Sequence, residues 1–121
     1  ESVNPAIAGS VDAPALIAMA RSGEISGAMV DGPFGMDNAI SAEAARIKGI
    51  RSEVAGQPDI LLVPGLEAGN ILYKALVYLA RGECAGLVLG AKVPIVLTSR
   101  ADSIESRVAS CALAVLKEKN Q

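Results

Sequence analysis

The apolar positions of this chain fall into short runs separated by Gly, Pro and Asn, and the runs alternate between two periods. Leu16, Ile17, Met19 and Ala20 form one helical stripe that ends at Gly23. Asp12 stands where an N-cap is wanted, and Pro14 is tolerated in a first turn, so a helix is predicted over about 13–22. Ile25 to Val30 reads as a buried strand that gives way to the breakers Asp31-Gly32-Pro33. Ile40, Ala44 and Ile47 then recur at helical spacing, with Asp37 or Asn38 as cap and Gly49 beyond, which predicts a helix over about 38–48. After a polar stretch, Ile60-Leu61-Leu62-Val63 stops at Pro64-Gly65, the pattern of a strand buried on both faces. Asn70 can cap a third helix whose face is Ile71, Leu72, Ala75, Leu76, Leu79 and Ala80, closed by Gly82. Two strand-like runs, Ala85 to Leu89 and Pro94 to Thr98, are joined by a short link. Asp102-Ser103-Ile104-Glu105 has capping-box spacing and opens a last helix with Ile104, Val108, Cys111, Ala112 and Val115 as its core face. The order helix, strand, helix, strand, helix, strand, strand, helix is that of an α/β protein.

Composition changes this picture in one respect. The 121 residues are 51% apolar but only 2% aromatic, and the mean hydropathy of +0.41 is high for a chain of this length. A close-packed monomer of 12.3 kDa should expose roughly 6,100 Å², and so small a body needs a polar surface. Part of the apolar surface is therefore expected to rest against something outside these residues, and because the sequence opens on Glu1 in mid-pattern it is expected to be a piece of a longer protein.

Charge and chemistry then exclude several classes. Eleven Lys and Arg against 13 Asp and Glu give a net charge of −2, which offers no basic field for nucleic acid, and two Tyr with one Phe build no base-stacking platform. No His is present and the two Cys lie far apart, so this chain alone assembles neither a zinc site nor a His-based triad. Few Cys and no apolar run near 18 residues point to a soluble, reducing, cytoplasmic setting with no membrane partner. No Gly-x-Gly-x-x-Gly follows a predicted strand, which weakens a dinucleotide-binding reading.

In α/β sheets, ligands gather beyond strand ends beside helix N-termini. Three loops qualify: 31–38, 64–70 and 99–103. Thr98, Ser99 and Arg100 set two hydroxyls and a guanidinium between a strand and a helix start, which suits an oxyanion; the alternative is a surface Arg beside a capping Ser. Asn70 and Lys74 lie one turn apart, so an amide and an ammonium can meet one anionic ligand, with Tyr73 beside them; the alternative is a plain cap and a solvated Lys. Asp31 and Asp102 are candidate bases, and turn formation or capping explains each equally well. Cys84 and Cys111 read as core.

The segments DGPFGMDNAIS (31–41), KGIRSEVAG (48–56), DILLVPGLEAGNILYKALVYLA (59–80) and AGLVLGAKVPIVLTSRADS (85–103) together resemble the phosphate acetyl/butyryltransferase family, its phosphate butyryltransferases more than its acetyltransferases. The resemblance covers nearly the whole chain and corresponds to the C-terminal portion of such enzymes. It implies part of a two-domain, three-layer α/β/α scaffold with a mostly parallel sheet, like that of isocitrate and isopropylmalate dehydrogenases. On that scaffold, about 1–90 would belong to the second domain and about 91–121 would return to the first, the N-terminal portion being absent here. It further implies reversible acyl transfer between acyl-CoA and inorganic phosphate, giving acyl phosphate and CoA. Coenzyme A is then a substrate; no tightly bound cofactor or metal is implied, and the enzyme is a homodimer or higher homo-oligomer. Ser99 and Arg100 match the family's Ser-Arg pair, taken to hold phosphoryl and carbonyl oxygens. Asn70, Tyr73 and Lys74 match its Gly-Asn-x-x-Tyr-Lys motif. A gapless match puts Ser106 where acetyltransferases have their proposed base, which leaves Asp102 or Glu105 as substitutes. Asp31 is carried as a further substrate-binding candidate. A second reading is a fragment that binds CoA or phosphate, or only dimerises, without turnover, and the isolated segment is itself expected to be inactive.

Overall fold

The structure is a computed structural model that describes residues 2–119. It divides into two compact units, residues 1–69 and 70–121, and each is described by itself.

The first unit opens with helix α1, Ala8–Ser22, five residues earlier than the sequence predicts. Asp12 is therefore not its cap and Pro14 lies inside it. The earlier start is fixed by Ser10, a buried side chain. Its Oγ shares its one proton between the carbonyls of Asn4 (2.7 Å) and Ile7 (2.9 Å) and accepts from the Asn4 N–H (2.8 Å), so the lead-in is wound onto the helix before Asp12 is reached. Gly23 ends α1 at a φ of +88°, the left-handed value that favours Gly at this position.

The helix predicted over 38–48 is two short ones, α2 (Met36–Ile40) and α3 (Ala42–Ile47). Ser41 separates them because it takes an extended conformation and its Oγ accepts the Ala44 N–H at 3.2 Å. A residue that can cap has ended one helix and started the next. Gly56 then closes the loop back, its N–H donating to the Ala39 carbonyl at 2.9 Å. The runs 25–30 and 60–63 pair with no strand among the described residues. Ile60 and Leu62 are 81% and 76% exposed; a run legible as a doubly buried strand has no ladder partner here to bury it.

Helix α4, Leu66–Lys74, begins at the end of the first unit and runs into the second. It continues as a π-helical segment, Ala75–Leu79, whose wide turn is marked by the Ala80 N–H donating to the Ala75 carbonyl at 3.1 Å. Asn70, expected as a cap, is thus interior to α4. The segment is ended by Arg81, at φ 55°, rather than by Gly82. Strands β1 (Leu87–Val88) and β2 (Ile95–Val96) pair antiparallel, Leu87 opposite Val96 and Val88 opposite Ile95. The expected mostly parallel sheet is therefore not what the described residues form, since a connection of only six residues returns the chain as a hairpin and a parallel pair needs a long crossover.

Helix α5, Ile104–Lys119, packs on that hairpin. The predicted core face does not do the packing: Ile104 is 75% and Val108 62% exposed, while Ser110 is fully buried. Ser106, Ser110 and Ala114, four apart and all less exposed than their neighbours, make the inward stripe, because small side chains let the helix approach the backbone of β1. Cys111 is exposed and Cys84 half-buried, both as free thiols, so neither is the core residue expected. Ala45 is the one buried apolar residue among those described, and the surface exposed is 9254 Å², about half again the value for a close-packed monomer. The apolar excess seen in the composition is thus on the surface.

Candidate functional site

Three segments of the second unit meet around an open cavity of about 440 Å³. The last turn of α4 contributes Asn70, Tyr73 and Lys74. The start of the hairpin contributes Cys84 and Gly86, and its end contributes Leu97, Thr98, Ser99 and Asp102. Ser110 of α5 lies at the base.

The turn at 99–102 is closed from both sides. The Asp102 N–H donates to the Ser99 carbonyl at 3.1 Å, and the Ser99 N–H donates to Asp102 Oδ2 at 2.6 Å. The cap of α5 is Ser103, whose Oγ accepts the Ser106 N–H at 3.1 Å. Asp102 is thereby released from capping, and its second oxygen accepts from the Tyr73 hydroxyl at 3.3 Å. Partial burial raises the Tyr73 phenol above its ordinary value, and the Asp102 carboxylate adds to this by its charge and by accepting the phenol's hydrogen bond. Tyr73 accordingly stays protonated and acts as a donor. Glu105, the other candidate base, lies on the exposed first turn of α5, where its own backbone N–H and then Ser103 hold its carboxyl below the ordinary value.

Ser110 ties the base of the cavity together. Its Oγ accepts the Gly86 N–H at 3.0 Å and donates to the Ser106 carbonyl at 2.7 Å. A side chain at Gly86 would come within 2.9 Å of the Leu97 carbonyl, so the hairpin closes at this point only around Gly. On the opposite wall, the Lys74 ammonium stands 4.9 Å from the centre of the Tyr73 ring.

Six of the candidate site residues singled out from the sequence therefore share one cavity: Asn70, Tyr73, Lys74, Thr98, Ser99 and Asp102. Arg100 does not line it. Its side chain is exposed, and its carbonyl accepts from Arg107 Nη2 at 3.0 Å. Asp31 belongs to the first unit, where it is exposed and its Oδ1 accepts the Gly32 N–H at 2.8 Å. Ser110, Gly86 and Cys84 were missed as site residues. The spacing of Ser106, Ser110 and Ala114 is the signal that could have found the first of them.

The open cleft presents an amide, an ammonium, a hydroxyl and a carboxylate beside the end of a strand, a set of polar groups able to meet a small polar ligand. Among the described residues, no group of His, Cys, Asp and Glu side chains could hold a metal ion, and no helix is long and apolar enough to cross a membrane. Comparison with known proteins makes the class specific. The family model for phosphate acetyl/butaryl transferase matches residues 4–115, and the chain belongs to that family. It is 58% identical over 116 residues to a phosphate acetyltransferase of Rhizobium meliloti, covering 96% of this chain and 37% of that protein. It is 54% identical over 115 residues to a probable phosphate butyryltransferase of Bacillus subtilis, covering 95% of this chain and 38% of that protein. A crystal structure of a branched-chain phosphotransacylase from Enterococcus faecalis superposes with a TM-score of 0.78 at 39% identity, covering 95% of this chain and 41% of that one. The chain thus spans about two fifths of the length of these relatives.

Proposed function

We propose that the protein carrying this segment transfers an acyl group reversibly between acyl-CoA and inorganic phosphate, yielding acyl phosphate and free CoA. The observation that carries this reading is the cavity in which Asn70, Tyr73 and Lys74 of one motif face Ser99 and Asp102 of the other, in a chain of the phosphate acetyl/butaryl transferase family. The segment is read as the C-terminal portion of a two-domain, three-layer enzyme that works as a homo-oligomer in the cytoplasm. The exposed runs 25–30 and 60–63 would join a larger, mostly parallel sheet there. About 1–90 would belong to its second domain and about 91–121 to its first.

In the direction of acyl-CoA synthesis the CoA thiol gives its proton to a base. The thiolate forms a bond to the acyl carbon, and the carbon–oxygen bond to phosphate breaks, so that orthophosphate leaves with the bonding pair. Asp102 is the proposed base; its carboxylate borders the cavity, and after accepting from Ser99 and Tyr73 it keeps lone pairs for a thiol proton. Lys74, Asn70 and the Ser99 hydroxyl are proposed to hold the phosphoryl and carbonyl oxygens, which gain charge as the thiolate adds. Arg100, next to Ser99, is proposed to supply a planar two-point contact when its long side chain turns to bound phosphate. Asp31 is kept as a substrate-binding candidate.

The test is phosphate-dependent release of CoA thiol by the full-length protein. Asp102→Asn should lose about 10²-fold or more in turnover, on the scale of a removed general base. Arg100→Lys should be impaired nearly as much as Arg100→Ala, because an ammonium lacks the fork. Full activity of Asp102→Asn would reduce Asp102 to a turn-closing residue, and absence of any phosphate dependence in the parent protein would overturn the whole reading.

A further inference from the structure

The ammonium of Lys74 is flanked by two rings, and only one of them belongs to the motif. Tyr73 lies 4.9 Å from it, ring centre to nitrogen, and Tyr78, four residues further on, lies 5.6 Å away. Both separations are within the range at which a cation is attracted to an aromatic face. Tyr78 falls in the π-helical segment that begins directly after Lys74, so the position of its ring around the helix is set by a widened turn. Lys74 itself lines both the cavity and an adjoining groove that holds Ile71, Ala75, Tyr78 and Leu79. Tyr78 does not line the cavity and is 58% exposed, which sets it apart from a core aromatic. Among the described residues it fills no core, and its ring is placed against the ammonium.

We infer that Tyr78 is a positioning residue: with Tyr73 it forms a two-ring cradle that holds the Lys74 ammonium at the rim of the cavity, ready for an anionic substrate oxygen. This rests on the proposed reading of the cavity as the phosphate and acyl phosphate site. The cradle matters because a lysine stem has four rotatable carbons, and a free ammonium would lose that freedom on binding each time. Rings that restrain it beforehand lower this cost.

The test uses the full-length protein and inorganic phosphate as the varied substrate. Tyr78→Leu should raise the KM for phosphate about two- to fivefold, the scale of an exposed cation–π contact, with kcat within about twofold of the parent. Tyr78→Phe keeps the ring and should restore the parent KM, which a role for the hydroxyl would not predict. Lys74→Gln should raise the phosphate KM about tenfold or more, and adding Tyr78→Leu to it should change nothing further. If Lys74→Gln is impaired while Tyr78→Leu behaves as the parent, or if the two effects simply multiply, the cradle is wrong and the reading of the cavity stands. A Lys74→Gln variant with unaltered phosphate kinetics would sink the anion role of Lys74 and the cradle with it.

Discussion

In the first unit the side-chain hydrogen bonds of Asn4, Ser10, Ser41 and Ser52 reach no more than six positions along the chain. In the second, Ser110 takes the Gly86 N–H across 24 positions and Asp102 takes the Tyr73 hydroxyl across 29. Local bonds of the first kind start and stop helices. Bonds of the second kind bring separate segments to one place, and the cavity lies among them. Two ion pairs of the first unit, Arg46 with Glu43 (2.6 Å) and Lys48 with Asp37 (3.0 Å), are exposed, and water leaves them little net effect.

The sharpest way to break this contrast is at Gly56, where the first unit does close over a distance. Gly56 has a φ of +88°, and a Cβ there would overlap the backbone nitrogen and Cα of Ala42. Gly56→Ala must therefore both adopt a left-handed conformation and displace main chain. Unfolding of the full-length protein in urea should show a loss of roughly 3 kcal/mol, and a loss below about 1 kcal/mol would mean that the loop at 50–57 can move aside.

A smaller effect is expected at Ser110. Ser110→Ala removes the acceptor of the Gly86 N–H beneath the cavity and should cost about 1–2 kcal/mol. Phosphate-dependent turnover should fall with it, because the hairpin end and α5 are no longer held in register. Stability and turnover both unchanged would show that the hairpin is fixed by β1 and β2 alone.

The smallest concerns pH. The Tyr73 phenol is raised in the folded state, so between an unfolded value near 10 and the higher folded one the native protein holds more protons than the unfolded chain. Its contribution is intact below about pH 10 and is lost as pH rises through the folded value. Tyr73→Phe should flatten the decline of urea midpoints above about pH 10; identical slopes in parent and variant would mean that the phenol is not raised in the folded state.

The start of the last helix was legible in the sequence because a capping pattern is a local contest between side chain and backbone, although the capping residue proved to be Ser103. The motif Gly69-Asn70-x-x-Tyr73-Lys74 was equally legible as a constellation, since residues three and four apart on a helix share a side wherever the helix sits. The family followed from the order of such blocks. What the sequence could not say was which face of α5 turns inward. Its apolar stripe, Ile104, Val108 and Val115, had the stronger period, and Ser110 was buried instead, because burial depends on what lies opposite and here that is the backbone of a hairpin. The antiparallel pairing of β1 with β2 and the release of Asp102 to meet Tyr73 were likewise decided only in three dimensions. Local sequence sets the conformations that each segment can adopt, but pairing and burial are properties of two segments at once, and only the tertiary structure brings the second one into place.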